Sequence, residues 1–146
     1  MRSLALLFLF FLTTSFTEKI DPTSILGIWK TGEGTAHIQI VQNGSNFQGK
    51  IIWLRDPIDP VTGKPKTDKK HPDSKVRNRP LIGLTNVWGF TYKGEGVWED
   101  GKIYDPKNGK TYDRIIRMTD NNTLSVRGYI GVTLIGRTDI WTRQSN

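Results

Sequence analysis

The chain of 146 residues contains no cysteine and only two histidines. The absence of cysteine excludes a disulfide framework, a thiolate metal site and lipid attachment through an N-terminal cysteine. His37 and His71 lie far apart and lack the spacing of a zinc site. No serine stands in a nucleophile-elbow motif. We therefore expect no metal site, no cofactor and no enzymatic activity.

Long apolar runs are also scarce, and the only one extends from Leu4 to Leu12. It follows Arg2 and precedes the small residues Thr13, Thr14, Ser15 and Thr17, which is the order of a secretory signal peptide. Nine apolar residues are too few to span a bilayer, so we expect no transmembrane segment. The sequence predicts that residues 1–17 are a cleaved signal peptide and that residues 18–146 form one domain. Export without cysteine favours a bacterial periplasmic or secreted protein.

Acidic residues are few relative to basic ones. Fourteen Asp and Glu against 21 Lys and Arg give a formal net charge of +7. A basic exported protein attracts anionic lipid, acidic polysaccharide or anionic small molecules, and nucleic acid is the least expected partner in that compartment. The sequence does not indicate an oligomeric state.

Helical periodicity is missing, and the pattern is that of β-strands. Ala36, Ile38 and Ile40 alternate with polar residues, and Asn43-Gly44 is typical of a tight hairpin turn. The return strand is predicted to carry on one face Phe47, Gly49, Ile51 and Trp53. Later strands are predicted at Leu84–Tyr92, Val97–Trp98, Lys102–Asp105, Lys110–Met118, Thr123–Ile130 and Leu134–Arg143, with turns such as Asp100-Gly101 between them.

Five of the seven prolines fall between Arg55 and Pro80. A strand within a sheet cannot lose that many hydrogen-bond donors. The sequence therefore predicts one long loop over residues 55–80, with a helical turn beginning near Pro72.

The two ends of the predicted domain suggest how the sheet closes. Gly27-Ile28-Trp29 opens it, and Trp141-Thr142-Arg143 ends it. We predict an all-β fold, an up-and-down antiparallel barrel of eight or nine strands with a calycin-like outline, in which the Trp29 indole fills one end and an arginine covers its face. Trp53 and Trp141 are also assigned to the core or to this end. An open twisted β-sandwich is the alternative.

Motifs along nearly the whole mature chain resemble those of a known protein family. They include Gly27-Ile28-Trp29-Lys30-Thr31, Gly49-Lys50-Ile51-Ile52-Trp53-Leu54, Arg77-Asn78-Arg79-Pro80-Leu81-Ile82-Gly83-Leu84, Gly101-Lys102-Ile103-Tyr104-Asp105-Pro106, Leu124-Ser125-Val126-Arg127-Gly128-Tyr129 and Gly136-Arg137-Thr138. Together they resemble the bacterial secreted domain of unknown function 2147 family. The resemblance implies a small exported β-rich domain and no particular activity. The terminal motifs are also similar to those of lipocalin-type barrels, which is an analogy of fold.

One group of candidate ligand-binding residues lies on the last two predicted strands. Arg127 and Tyr129 share one strand face, and Arg137 shares a face with Asp139 on the next strand. If these faces point into a barrel, they could hold a ligand carboxylate in a low-dielectric pocket. If they point outwards, they form an ordinary polar surface.

A second group lies on the long loop, where seven cations and two carboxylates fall between Lys64 and Arg79. Arg77 and Arg79 share a side of an extended segment, so they either clamp an anion or pin the loop through carboxylates such as Asp68, and pinning is favoured. Trp88 is a third candidate, either in the core or on a ligand-stacking rim.

The function that these patterns favour is binding of a small anionic or amphipathic molecule in or at the mouth of the barrel. The alternative is a cell-envelope protein whose basic loop grips anionic lipid or polysaccharide. A glycan-cleaving carboxylate pair from Glu99 and Asp105 is the least favoured, because aspartates in turn sequences usually cap backbone amides.

Overall fold

The computed structural model describes residues 18–128 and 137–145. Its strands are β1 Gly27–Lys30, β2 Ala36–Asn43, β3 Asn46–Leu54, β4 Thr85–Gly94, β5 Val97–Asp105, β6 Lys110–Asp120, β7 Thr123–Gly128 and β8 Thr138–Gln144. Each strand pairs antiparallel with the next, and β8 pairs with β1, so the sheet closes into an eight-stranded barrel. The predicted up-and-down barrel is confirmed, and the alternative β-sandwich is wrong.

The barrel has two ends, which we name by the termini of β1. At the base, where β1 begins, short hairpin turns join β2 to β3, β4 to β5 and β6 to β7. At the mouth, where β1 ends, lie the longer connections of residues 31–35, 55–84 and 106–109. Because up-and-down strands alternate in direction, the long loop and the β1–β2 loop must emerge at the same end.

The interior is filled by the inward residues of the alternating strands. Trp29 and Trp98 are fully buried in it. The buried hydrophobic cluster also includes Ile38, Ile40, Phe47, Ile51, Val87, Phe90, Ile116, Met118, Leu124, Val126 and Trp141. Burying these side chains is the main favourable term for a domain that has no disulfide.

The base is sealed by Trp29, Arg143 and the N-terminal segment. The Arg143 guanidinium lies 4.2 Å from the centre of the Trp29 ring, which confirms the predicted cation-covered indole. The same guanidinium donates to the carbonyls of Asn121 (2.7 Å), Leu26 (2.8 Å) and Ser24 (2.7 Å). Burial lowers the pKa of Arg143 from its ordinary value, and these carbonyl contacts compensate for the lost hydration.

The N-terminal segment adds a short 3-10 helix, η1 Pro22–Ile25, beneath the barrel. Asp21 caps it by accepting from the Thr23 amide, and the Trp29 indole N–H donates to the Ile25 carbonyl at 2.9 Å. The Tyr92 hydroxyl donates to the Ile20 carbonyl at 2.6 Å. Residues upstream of β1 are therefore part of the folded unit.

Two β-bulges correct the sequence-based assignment. In β3, Ile51 pairs with Ile38 while Trp53 pairs with His37, so one extra residue reverses the facing of Trp53. Trp53 is 41% exposed and lies 4.3 Å from the His37 ring, outside the core to which it was assigned. Alternation alone does not reveal such a reversal, because no particular residue type marks the position of the extra residue.

The second bulge lies at Asp100-Gly101, which was predicted as a turn. The two predicted segments around it form the single strand β5, in which Trp98 pairs with Ile116 and Gly101 with Arg114. Asp100 has a φ of +65°, the left-handed conformation that Asp tolerates in a bulge as well as in a turn. The Phe90 ring occupies the space of a Gly101 side chain, so the glycine serves core packing.

The long loop spans residues 55–84 between β3 and β4, close to the predicted bounds. It carries the 3-10 helix η2 Ser74–Val76, capped by Asp73, just after the proline where a helical turn was expected. Within residues 18–128 and 137–145, no helix combines the length and apolar character needed to cross a bilayer.

Candidate functional site

The barrel interior changes from apolar near the base to polar near the mouth. On β6, Met118 and Ile116 are buried, and the next inward positions towards the mouth are Arg114 and Tyr112. On β8, buried Trp141 is followed towards the mouth by Asp139. A guanidinium, a phenol and a carboxylate therefore face inwards above an apolar core.

Arg114 is positioned by its strand partners. It pairs with Gly101 on β5 and Gly128 on β7, two glycines that leave room beside it. A side chain at Gly128 would collide with the Arg114 guanidinium, which shows that this group lies over the Gly128 backbone. The guanidinium carbon stands 4.6 Å from the centre of the Tyr112 ring, and Arg114 is half-buried.

The charge of Arg114 is not paired with a carboxylate of any described residue. Within the described ranges, its guanidinium contacts the Tyr112 ring but forms no salt bridge with a carboxylate. Partial burial reduces its hydration, so an anion that reached it could form a strong, bidentate contact.

The β1–β2 loop folds against the mouth beside Asp139. A side chain at Gly32 would collide with the Asp139 carboxylate and approach the Ile140 carbonyl. The same carboxylate accepts the indole N–H of Trp141 at 2.7 Å. Asp139 therefore orients the buried Trp141 ring, and its carboxylate also lies against the β1–β2 loop at the start of β8.

Ion pairs tie the loops of the mouth together. Glu33, on the β1–β2 loop, pairs with Lys107 on the β5–β6 connection and lies 3.8 Å from Arg137, which precedes β8. The Lys107 hydrogen bond lowers the pKa of Glu33 below its ordinary value. On the outer side of β1 and β8, an open groove of about 480 Å³ is lined by Glu33 and Arg137 among others.

Of the residues predicted on the last two strands, neither Arg127 nor Arg137 lies in the barrel interior. Arg127 lies opposite Ile115 in register and on the other strand face from buried Val126, so it points away from the interior. Arg137 is 85% exposed at the rim. Tyr129 lies outside the described residues.

The predicted loop arginines bind within their own loop. Arg79 forms an ion pair with Asp68 at 2.8 Å, the pinning arrangement that the sequence favoured. Asp68 is fully buried and also accepts the Tyr104 hydroxyl at 2.5 Å. Burial raises the pKa of Tyr104, and Asp68 strengthens the effect, so the phenol stays protonated. Arg77 donates to the carbonyls of His71 and Pro72.

Trp88 lies on the outer face of β4. Its neighbour Val87 is buried in the barrel, and Trp88 itself pairs with Lys102 and is 36% exposed. It is therefore neither in the core nor inside the barrel.

Sequence reasoning missed Arg114 and Tyr112. The adjacent Ile115 and Ile116 make both faces of β6 apolar at that point, so alternation did not show which face was inward. The signal that could have found Arg114 is the pair of glycines, Gly101 and Gly128, that flank it across two strands.

The Trp98 indole N–H is buried in the core without an acceptor among the residues described. In the same part of the chain, no cluster of His, Asp and Glu is arranged to hold a metal ion.

A closed eight-stranded antiparallel barrel with a packed base and a polar mouth defines a lipocalin-like domain. The structure is similar to that of protein HP1028 from the human pathogen Helicobacter pylori, whose description places it in the lipocalin family. The TM-score is 0.72 at 26% identity, and the match covers 83% of each chain. No curated protein matches the chain. Residues 27–143 match the family model described as "uncharacterized protein conserved in bacteria (DUF2147)", and the chain belongs to this family.

Proposed function

We propose that this protein binds a small anionic or amphipathic molecule at the mouth of its barrel, with Arg114 as the group that holds the anionic head. The observation that carries the proposal is the half-buried Arg114 guanidinium, which faces inwards above the apolar core and has no carboxylate partner in the described ranges. Lipocalin-type barrels of this strand number are suited to hold one small ligand.

The arrangement suits an amphiphile for two physical reasons. A short apolar tail of such a molecule lowers its free energy by leaving water and packing on top of the apolar core, whose last inward residues below Arg114 and Gly128 are Ile116 and Val126. Its head group meets a partly dehydrated guanidinium, for which charge-assisted hydrogen bonds are about twice as strong as neutral ones. Gly128 supports the proposal because a residue without a side chain leaves room for the guanidinium over the strand.

The residues predicted from the sequence contribute unequally to this proposal. Arg137 stays in it as a second cation at the rim, which attracts an anion before it enters. The side chains of Arg77 and Arg79 form their contacts within the long loop. Trp88 and Arg127 lie on the outer face of the barrel. We assign those four no ligand contact inside the barrel.

We further propose, first, that this protein is a binding protein rather than an enzyme and, second, that it is exported to the bacterial periplasm or exterior. The lipocalin-family relative supports the first part. The second part rests on the charge and apolar run of residues 1–17.

Displacement of the fluorescent anion anilinonaphthalene sulfonate tests the proposal. Laurate should displace it at least tenfold more effectively than dodecanol, because only the carboxylate engages Arg114. In Arg114→Met the affinity for laurate should fall about 10- to 100-fold, the equivalent of one lost charge-assisted interaction.

Arg117→Met is the matched control, since Arg117 lies on the exposed outer face of the same strand. It removes the same charge and should leave laurate affinity within twofold. If the wild-type protein binds neither anilinonaphthalene sulfonate nor laurate, or if both variants lose affinity equally, the proposed function is wrong.

A further inference from the structure

The first part of the long loop forms a small ordered hairpin over residues 57–66, which we call the 57–66 hairpin. Ile58 and Pro65 bridge antiparallel, and the Lys66 amide donates to the Pro57 carbonyl at 2.9 Å. The Asp59 amide donates to the Lys64 carbonyl at 2.8 Å. The chain therefore leaves the barrel wall, turns and returns in a fixed conformation.

The turn of the hairpin is held by the Asp59 carboxylate. It accepts the amides of Val61 (2.8 Å) and Thr62 (3.2 Å) and pairs with Lys69. Gly63 completes the turn with a φ of +67°, which favours glycine. The tip thus presents its side chains in a defined arrangement.

Two apolar side chains project from this hairpin into solvent. Val61 is 90% exposed and Ile58 is 48% exposed, so Val61 is more exposed than any other large apolar residue described. Exposed apolar side chains are common singly. A rigid turn that holds an aliphatic side chain almost fully in water is a more specific feature.

Lysines that form no ion pair with a described residue lie in the hairpin and in the loop residues that follow it. The carboxylates near it are engaged within the loop: Asp56 by Arg55, Asp59 by Lys69 and Asp68 by Arg79. Lys64, Lys66 and Lys70 form no ion pair among the described residues. The hairpin and the loop residues that follow it therefore carry lysine charges that are not neutralised within the described residues.

We propose that the 57–66 hairpin docks on an anionic lipid bilayer. Ile58 and Val61 enter the boundary between head groups and acyl chains, while Lys64, Lys66 and Lys70 contact the head groups. An anionic polysaccharide would satisfy the lysines but offers no apolar phase for Val61, so the exposed tip favours lipid. The proposal is independent of a ligand inside the barrel.

The absence of cysteine permits a direct test. An environment-sensitive fluorophore attached to the single cysteine of Val61→Cys should shift its emission to the blue when vesicles of equal parts phosphatidylcholine and phosphatidylglycerol are added. It should not shift with vesicles of phosphatidylcholine alone. The same label in Val41→Cys, at an exposed position of β2, is the control and should not respond.

Vesicle sedimentation then separates the apolar contribution from the charged one. Val61→Ser should weaken binding to the anionic vesicles about tenfold. Changing Lys64, Lys66 and Lys70 together to Gln should weaken it about 100-fold, from a factor of about five for each lysine near an anionic surface. The matched control changes the exposed Lys30, Lys50 and Lys110 to Gln, an equal loss of charge.

Three results would overturn the proposal: no sedimentation with anionic vesicles at low salt, an equal loss in both triple-lysine variants, or an equal response of the labels at positions 61 and 41. Retention on an anionic polysaccharide without any response of the label at position 61 to anionic vesicles would assign the loop to a polysaccharide instead.

Discussion

The base and the mouth of the barrel are held together by different interactions. At the base, the buried Trp29 ring packs beneath Arg143, whose three donor groups reach backbone carbonyls. At the mouth, exposed side chains such as Glu33 and Lys107 pair across loops. Ring packing and carbonyl contacts depend on the whole fold, whereas exposed ion pairs add at most about 1 kcal/mol each.

This difference separates contacts that stabilise the closed barrel from the residue that we propose for ligand binding. The base is packed and hydrogen-bonded, whereas the mouth carries a cation, Arg114, that has no carboxylate partner within residues 18–128 and 137–145. A polar interior at both ends would leave too little apolar burial for a domain of this size.

The largest predicted effect is at the base. Trp29→Ala should lower the free energy of unfolding by about 3–5 kcal/mol, because it leaves a cavity and exposes the Arg143 contacts. Urea denaturation followed by circular dichroism measures the change. Trp88→Ala, on the outer face, is the control and should cost below about 1 kcal/mol.

An intermediate effect is expected at the junction between the long loop and the barrel. Asp68→Asn should lower the free energy of unfolding by about 2 kcal/mol, because Arg79 and Tyr104 lose their shared buried acceptor charge. Limited proteolysis should show faster cleavage within residues 55–84. The exposed Asp56→Asn should change neither measurement, and a change as large as that of Asp68→Asn would argue against a special role for the buried carboxylate.

The smallest effect is expected at the mouth, in the titration of Glu33. The Lys107 hydrogen bond favours the ionised form, so the pKa of Glu33 should lie below its ordinary value and rise towards it in Lys107→Gln, where the charge of Arg137 remains. A lowered folded-state pKa means that the stabilising contact is present above the unfolded value and is lost as pH falls through the folded one. An NMR titration of the Glu33 carboxyl measures both. Equal pKa values in the two proteins would show that the pair does not form in solution.

Part of the fold was predictable because its cause is local. Trp29 and Arg143 stand at the ends of the first and last strands, so strand closure alone brings them together at one end of the barrel. The clustered prolines of residues 55–80 forbid a ladder strand whatever the tertiary structure. The pairing of Arg79 with Asp68 followed from the need to hold such a loop.

The wrong and missing sequence-based predictions have a different cause, which is that strand patterns do not show how the strands pair. Trp53 was placed in the core because strand alternation was continued through a bulge that leaves no mark in the residue types. Asp100-Gly101 has the composition of a turn, and the same backbone conformations also serve a bulge. Arg114 was overlooked because the adjacent Ile115 and Ile116 make both faces of β6 apolar, so alternation did not show which face was inward.

The sequence by itself determined which segments are strands, where the chain cannot form one, and which aromatic and cationic residues lie at the terminal strands, because these properties depend on residue type and spacing. Only the tertiary structure decided which strand faces point inwards near the mouth and which cations have partners. Alternation defines two faces without saying which is inside, and each bulge exchanges them. The register of the closed barrel brings Arg114 beside Gly128, where it forms no ion pair with a carboxylate in the described ranges.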